Sequence, residues 1–424
     1  MNVPLVAAEG PARRSTRAAE GLESRLPDLL LSWRGTARSA NSPESLTVDE
    51  YSRAGAALFA LQRGLTGDRR LAGRGDATGY MDSADLLGAY LLYYWPVSYL
   101  EVFLSLSFAR LRAPRVLDLG SGPGPATAAF FDAAGAAEAF LVDGSDRALE
   151  LAAELLPPGA RTEFLKADLE REALPELGRF DAAVASHLLN ELWKGRADRL
   201  DRRLDFLASL ALRLAPGGFV LAVEPATLAA GRDLLSLRDG LAERGWRIVA
   251  PCPASGPCPM LAAGEGRNCH GEAPWVPPEP VAGLAARAGL DRTSVKWTFF
   301  IAVPPDGQGK RETRADRVPA TGTQVSGRVV SEGLLNKAGR LRYSLCTGEG
   351  LVSLSAKADS PLAAKLGFQG LRRYDSVSLT DGERRDSGFG LAEGCDLAVE
   401  EAPTIDGRGR AAPGFERGAR RAGR

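Results

Sequence analysis

Val116-Leu-Asp-Leu-Gly-Ser-Gly-Pro-Gly124 reads as a short apolar strand, a glycine-rich turn and the first residues of a helix. Glycine lets the backbone approach a ligand closely, and the opening turn of a helix offers unpaired N–H groups. Several kinds of nucleotide site share this pattern. No Lys-Ser or Lys-Thr follows the glycines, which argues against a phosphate-cradling P-loop. Acidic residues close the next two strands, Asp143 in Leu141-Val-Asp143-Gly-Ser and Asp168 in Leu165-Lys-Ala-Asp168. An acidic side chain ending the second strand accepts both ribose hydroxyls of a nucleoside, and the third-strand aspartate is placed for an adenine amino group. A nicotinamide dinucleotide would use the second-strand acid equally well. Asp118 lies inside the first strand–turn, and Pro216-Gly217-Gly218 precedes the fifth strand. Asp168 also reads as a simple turn or helix cap.

Outward from this stretch, strand and helix patterns alternate, the signature of βαβ units and a parallel sheet. Strands are predicted at 116–119, 139–143, 163–167, 180–186, 219–223, 246–250 and 294–303, with helices at 125–134, 147–156, 200–214 and 278–288. Residues 1–112 read as a helical region. Thr47 is its clearest N-cap, with Glu50 three residues on, and two apolar helices, 83–94 and 97–111, are expected to break at Pro96. The aromatic tract Ala89-Tyr-Leu-Leu-Tyr-Tyr-Trp-Pro-Val-Ser-Tyr99 is assigned to packing at the domain interface. Residues 113–303 form the α/β unit, with a cysteine loop at 251–275. Residues 304–319 are a polar linker with seven charges among sixteen residues. Residues 320–402 form a small β domain, with strands at 323–330, 340–346, 351–356 and 376–379. Residues 403–424 are a basic tail expected to be disordered.

The 424 residues carry 53 acidic and 53 basic side chains, so no overall field marks a nucleic-acid binder. The tail alone is strongly basic, with Arg408, Arg410, Arg417, Arg420, Arg421 and Arg424 against Asp406 and Glu416. No apolar run approaches the ~20 residues needed to span a bilayer. The first residues lack the apolar core of a secretory signal.

Three of the five cysteines lie within Cys252-Pro-Ala-Ser-Gly-Pro-Cys258-Pro-Met-Leu-Ala-Ala-Gly-Glu-Gly-Arg-Asn-Cys269. An odd, clustered set does not resemble a secreted disulfide framework. Prolines on both sides of Cys252 and Cys258 stiffen the backbone, so little ordering entropy remains to be lost. Zinc ribbons and knuckles use closer pairs than these gaps of five and ten residues. A radical enzyme would need a tighter triad. An iron–sulfur cluster tolerates irregular spacing and prefers thiolates; zinc is the second choice. The fourth ligand is open among His270, Cys346 and Cys395. A cytosine-methyltransferase nucleophile at Cys252 lacks its companion features.

The nucleotide stretch resembles the class I S-adenosylmethionine-dependent methyltransferases over about residues 113–303. By that resemblance Asp118, Gly120, Ser121, Gly122 and Gly124 surround the methionine part, Asp143 the ribose and Asp168 the adenine. From about Arg69 to about Tyr374 the chain further resembles the methyltransferase-like assembly factors of the small ribosomal subunit, known from mitochondria with bacterial relatives. That likeness rests on residues 89–99, on Leu117–Gly124, on His187-Leu-Leu-Asn-Glu-Leu192, and above all on the loop 250–260 with Cys269-His270. It implies a four-iron, four-sulfur cluster on Cys252, Cys258, Cys269 and, in Leu345-Cys346-Thr347, Cys346. Two departures stand: extra Gly-Glu-Gly residues between Cys258 and Cys269, and a long charged linker before Cys346.

The function so implied is assembly of, or translation by, the small ribosomal subunit, with contact to its rRNA. Its setting would be the bacterial cytoplasm or the mitochondrial matrix, without a membrane, and a monomer is favoured. An active rRNA methyltransferase is the alternative, a small-molecule methyltransferase the third. The fourth strand ends in Ser186-His187-Leu188-Leu189-Asn190-Glu191 and lacks the prolines of amino-methylating enzymes. His187 and Glu191 read equally well as bases or as caps, so no catalytic residue is assigned.

Overall fold

The central strand Arg115–Leu119 (β1) is buried along its last four residues, as a strand covered on both faces must be. The computed structural model describes residues 11–35, 45–66, 80–290, 292–305 and 323–405. Around β1 lie β2 (Glu138–Asp143), β3 (Arg161–Lys166), β4 (Phe180–Ser186), β5 (Leu214–Pro225), β6 (Arg247–Ala250), β7 (Gly271–Pro274) and β8 (Ser294–Val303). Their order is β3-β2-β1-β4-β5-β8-β6, with β7 beside β8. The first five are parallel. The expected parallel sheet is extended at its far side by an antiparallel part: β8 runs antiparallel to β5, β6 and β7. An apolar run reveals a buried strand but not its direction. The result is a mixed, Rossmann-like sheet.

Helices α5 (Pro125–Ala133), α6 (Asp146–Leu155), α7 (Arg199–Ser209), α8 (Leu228–Glu243) and α10 (Glu279–Ala288) cover the sheet, with the short α9 (Pro259–Ala262) in the cysteine loop. Ahead of them run α1 (Pro11–Arg34), α2 (Val48–Thr66), α3 (Ala84–Ala89) and α4 (Trp95–Ala109). The capping box that opens α2 is present: Thr47 N–H donates to Glu50 Oε2 at 2.8 Å and Glu50 N–H to Thr47 Oγ1 at 3.3 Å. The expected break at Pro96 does not occur. The chain stays helical through a π-turn at Tyr90–Tyr94, and Pro96 sits in the first turn of α4, where a missing N–H costs little. Trp95 to Leu106 are all buried; a helix apolar on every side belongs inside. The aromatic tract packs onto the α/β unit, Trp95 Nε1 donating to the Pro123 carbonyl at 2.9 Å and Tyr99 to Asp132 at 2.6 Å.

A second sheet has the order β14-β15-β12-β11-β9-β13-β16, with β10 on β11. It comprises β9 (Val325–Val329), β10 (Leu334–Leu335), β11 (Arg340–Cys346), β12 (Leu351–Lys357), β13 (Ser376–Thr380), β14 (Glu383–Arg385), β15 (Gly388–Gly390) and β16 (Asp396–Glu400), with helix α11 (Pro361–Lys365) after β12. Its core holds Val325, Leu341, Leu345, Phe368, Leu379 and Phe389. Three of its strands lie beyond Leu379, where the sequence shows mainly charge and glycine. The reason is local at Gly388 (φ +152°), where a Cβ would meet the Ser353 carbonyl oxygen at 2.0 Å. Only glycine allows β15 to lie against β12.

Tyr374 seats this sheet on the first. Its ring lies 5.7 Å from Phe108, 5.9 Å from Phe299 and 6.4 Å from Trp297. Most of the predicted linker, 306–319, and of the basic tail, 406–424, lies outside the described residues.

Candidate functional site: a thiol cavity and a glycine turn

Four cysteines from two sheets line one cavity. Cys252 follows β6, Cys258 caps α9, Cys269 precedes β7, and Cys346 ends β11. The cavity holds about 390 Å³ of space between atoms, part of it open to solvent. The loop is pinned from α8. Both Asp239 carboxylate oxygens accept the Cys258 N–H, at 2.8 and 3.1 Å, while Arg238 donates to the carbonyls of Ala254 and Gly256. Thr298 Oγ1 donates to the Cys269 carbonyl at 3.1 Å. Around the thiols, Leu235, Met260 and Val330 complete an apolar patch.

Burial, then mutual repulsion between incipient thiolates, raises the thiol pKa values. Cys269 is pushed up to about 12 and Cys346 further; Cys252 and Cys258 also rise, chiefly through burial. Four such thiols ionise together only around a cationic centre. The other two candidates stand apart. Cys395 is packed in the core of the second sheet. His270 does not line the cavity; burial and then Arg373 pull its imidazole down to about 4. Among the described residues, no three His, Cys, Asp or Glu side chains close on a single metal ion.

The glycine turn carries the second set. Gly120, Gly122 and Gly124 have φ of +63°, +51° and +75°, so the backbone adopts the left-handed region that glycine tolerates. Asp118 Oδ2 accepts from Thr127 N–H at 3.1 Å and Thr127 Oγ1 at 2.6 Å, leaving Oδ1 buried without a partner. Asp143, at the end of β2, accepts from Gly122 N–H at 2.8 Å and Ser145 N–H at 2.9 Å. Ser121 is buried in the turn. Asp168 lies past β3, accepting from Glu170 N–H at 2.9 Å and facing Arg171 at 3.4 Å, the bonds of a turn residue.

Sequence reasoning did not single out the cover over this turn. Asp82 accepts from Ser145 Oγ at 2.6 Å. Met81 approaches Gly122, and the Leu188 side chain would lie 2.6 Å from a Cβ on Gly120. Nor did it single out the partners at the end of β4. His187 (φ +57°) meets Glu101 of α4 at 2.5 Å, and Asn190 N–H donates to Glu224 at 3.2 Å. Burial works against a charged His187, but Glu101 outweighs it and raises the imidazole pKa.

Burial lifts Glu224 to about 7 from 4.5, and Asp118 to about 7 from 3.8. A group whose folded pKa is raised keeps its stabilisation below the unfolded value and loses it as pH climbs through the folded one. Stability should therefore fall between about pH 4 and 7. Glu224→Gln is expected to flatten this fall, making the variant relatively more stable at pH 8 in urea titrations. An unchanged slope would remove Glu224 from the account.

No curated protein matches the chain. Solved structures give low-scoring likenesses. The N-methyltransferase NodS of Bradyrhizobium japonicum, in complex with S-adenosyl-L-homocysteine, is 14% identical over 59% of this chain and 99% of its own, with a TM-score of 0.33. A Haloferax volcanii methyltransferase in complex with its activator Trm112 is 17% identical over 55% and 100%, with a TM-score of 0.34. An RNA methyltransferase-like protein of Pyrococcus horikoshii is 15% identical over 50% and 84%, with a TM-score of 0.31. Residues 87–280 match the family model described as mitochondrial small ribosomal subunit Rsm22.

Proposed function

We propose that this protein is a methyltransferase-like factor of the small ribosomal subunit that binds S-adenosylmethionine, carries a four-iron, four-sulfur cluster and contacts rRNA. The observation that carries the proposal is the convergence of Cys252, Cys258, Cys269 and Cys346 on one cavity in a chain bearing the family segment. The donor set fits the group: four soft sulfur donors line one cavity, and an iron–sulfur cluster prefers thiolate ligation. When bound, the cluster supplies bonds that tie residues from both sheets together. The chain's own part is to prearrange the sulfurs, through the hold of Asp239 on Cys258 and of Arg238 on the loop carbonyls. The small β domain, 320–402, then acts as a lid fastened to the core.

Asp118, Gly120, Ser121, Gly122 and Gly124 would hold the methionine part of the donor, Asp143 the ribose and Asp168 the adenine. The unpartnered Asp118 Oδ1 suits a ligand amino group. Gly120→Val is expected to weaken donor binding more than tenfold by calorimetry, because a branched residue at φ +63° is strained and meets Leu188. Unchanged affinity would place the donor elsewhere.

Anaerobic purification with iron and sulfide analysis tests the cluster; zinc in place of iron would overturn it. Co-sedimentation with small-subunit particles tests the ribosomal role, and binding should weaken steeply with salt if phosphates are contacted. A protein found only at the top of the gradient would refute it. The second reading, an active rRNA methyltransferase, is favoured by His187, Glu101 and Glu224 gathered at the end of β4. Transfer of labelled methyl groups to rRNA separates it from a scaffold.

A further inference from the structure

Two guanidinium groups line the thiol cavity, Arg238 from α8 and Arg328 from β9. Arg238 is 1% exposed, and its terminal nitrogens are fixed on Ala254, Gly256 and Asp239. Arg328 donates Nη1 to the Tyr374 carbonyl at 2.6 Å and lies over the Phe108 ring. In the β9–β11 ladder Arg328 is the direct partner of Cys346. In both arginines the Nε–H is buried without a hydrogen-bond partner. Buried donors are nearly always satisfied, and these two unpartnered N–H groups belong to residues that line the same cavity, where one acceptor could serve both. The nearby Asp239 already accepts from Cys258 and Arg238. Two cations are thus held where solvent reaches them poorly, and an anionic occupant would relieve both defects.

We propose that Arg238 and Arg328 are the counter-charges of the thiolate-ligated cluster, donating to its sulfurs and raising its reduction potential. This rests on the cluster reading above. Four thiolates around a dicationic cubane leave a double negative charge, which two guanidinium groups balance. Reduction adds one electron, supplied in the test by dithionite, with no bond broken and no proton moved. The added charge is stabilised by cations at short range in a poorly solvated site. One counter-charge comes from α8, which packs on the first sheet, and the other from β9 of the second, so the cluster reaches its full potential only with both sheets docked.

The test is a dithionite titration, followed by absorbance and electron paramagnetic resonance, of the full-length protein purified anaerobically. Arg328→Gln should hold iron and sulfide as the parent does, yet shift the reduction equilibrium at least tenfold, about 59 mV more negative for one electron. Arg328→Lys keeps the charge and should stay within threefold. Arg238→Gln should shift in the same direction, but it also loosens the loop, so Arg328 decides. Loss of iron from Arg328→Gln with retention in Arg328→Lys would support the counter-charge through binding instead. Full loading of both at the parent potential, or a Lys variant displaced as far as Gln, would overturn the inference and leave the cluster standing. A parent protein with neither iron nor sulfide would fail the cluster reading itself.

Discussion

Cys346→Ser is expected to strip the anaerobically purified protein of most of its iron and sulfide and of its brown colour. Serine nearly matches cysteine in size, so the β11–β12 pairing, including Cys346 with Leu351, should survive the change. What is lost is a soft ligand, since a hydroxyl is a poor donor for an iron–sulfur centre. The other three sulfurs come from the loop between β6 and β7, held by Asp239, Arg238 and Thr298. Cys346 alone reaches in from the second sheet, so its loss also unties that sheet from the loop. Cys395→Ser and His270→Ala are the controls. Cys395 is packed in the second core and His270 does not line the cavity, so both should keep full iron. Iron and sulfide at parent levels in Cys346→Ser would move the fourth bond elsewhere and remove the mechanical role.

The glycine-turn side of the molecule is legible because its determinants are contiguous. Strand, turn and helix between Val116 and Ala133 are written in one run, and β4 and β8 have the limits that their apolar runs predict. What escaped was set by partners distant in sequence. Nothing in Ser294–Val303 tells which way β8 runs. β14 and β15 have three residues each and exist because Ser353 to Ser355 lie beside them. Arg238 sits in a helix whose pattern would send an arginine to solvent, yet the cysteine loop folds over it. Tyr374 follows two arginines in a turn and carries φ +69°; no periodicity marks it as the seat between two sheets. Even the convergence of Cys346 with the loop came from family resemblance, not from its place in a strand.

That seat makes Tyr374→Ala the most damaging single change expected for stability. The ring is 1% exposed and packs edge-on to Phe108, Phe299 and Trp297. Truncating a buried aromatic costs about 3–5 kcal/mol, the transfer term plus the cavity left behind. The hydroxyl, 3.6 Å from Cys269 Sγ, is a smaller matter; Tyr374→Phe should cost about 1 kcal/mol. The measurement is the denaturant midpoint for loss of near-ultraviolet ellipticity, in protein freed of iron so that the cluster does not mask the interface. Equal midpoints for Ala and Phe variants would mean that the sheets are not held by this packing. In loaded protein the comparison goes further. If ring and cluster fasten the same interface, removing both through Tyr374→Ala and Cys346→Ser should cost less than the sum of the two separately, because the second change acts on a junction already opened. Strict additivity would instead mean two independent fasteners, and the cluster would then not report on docking.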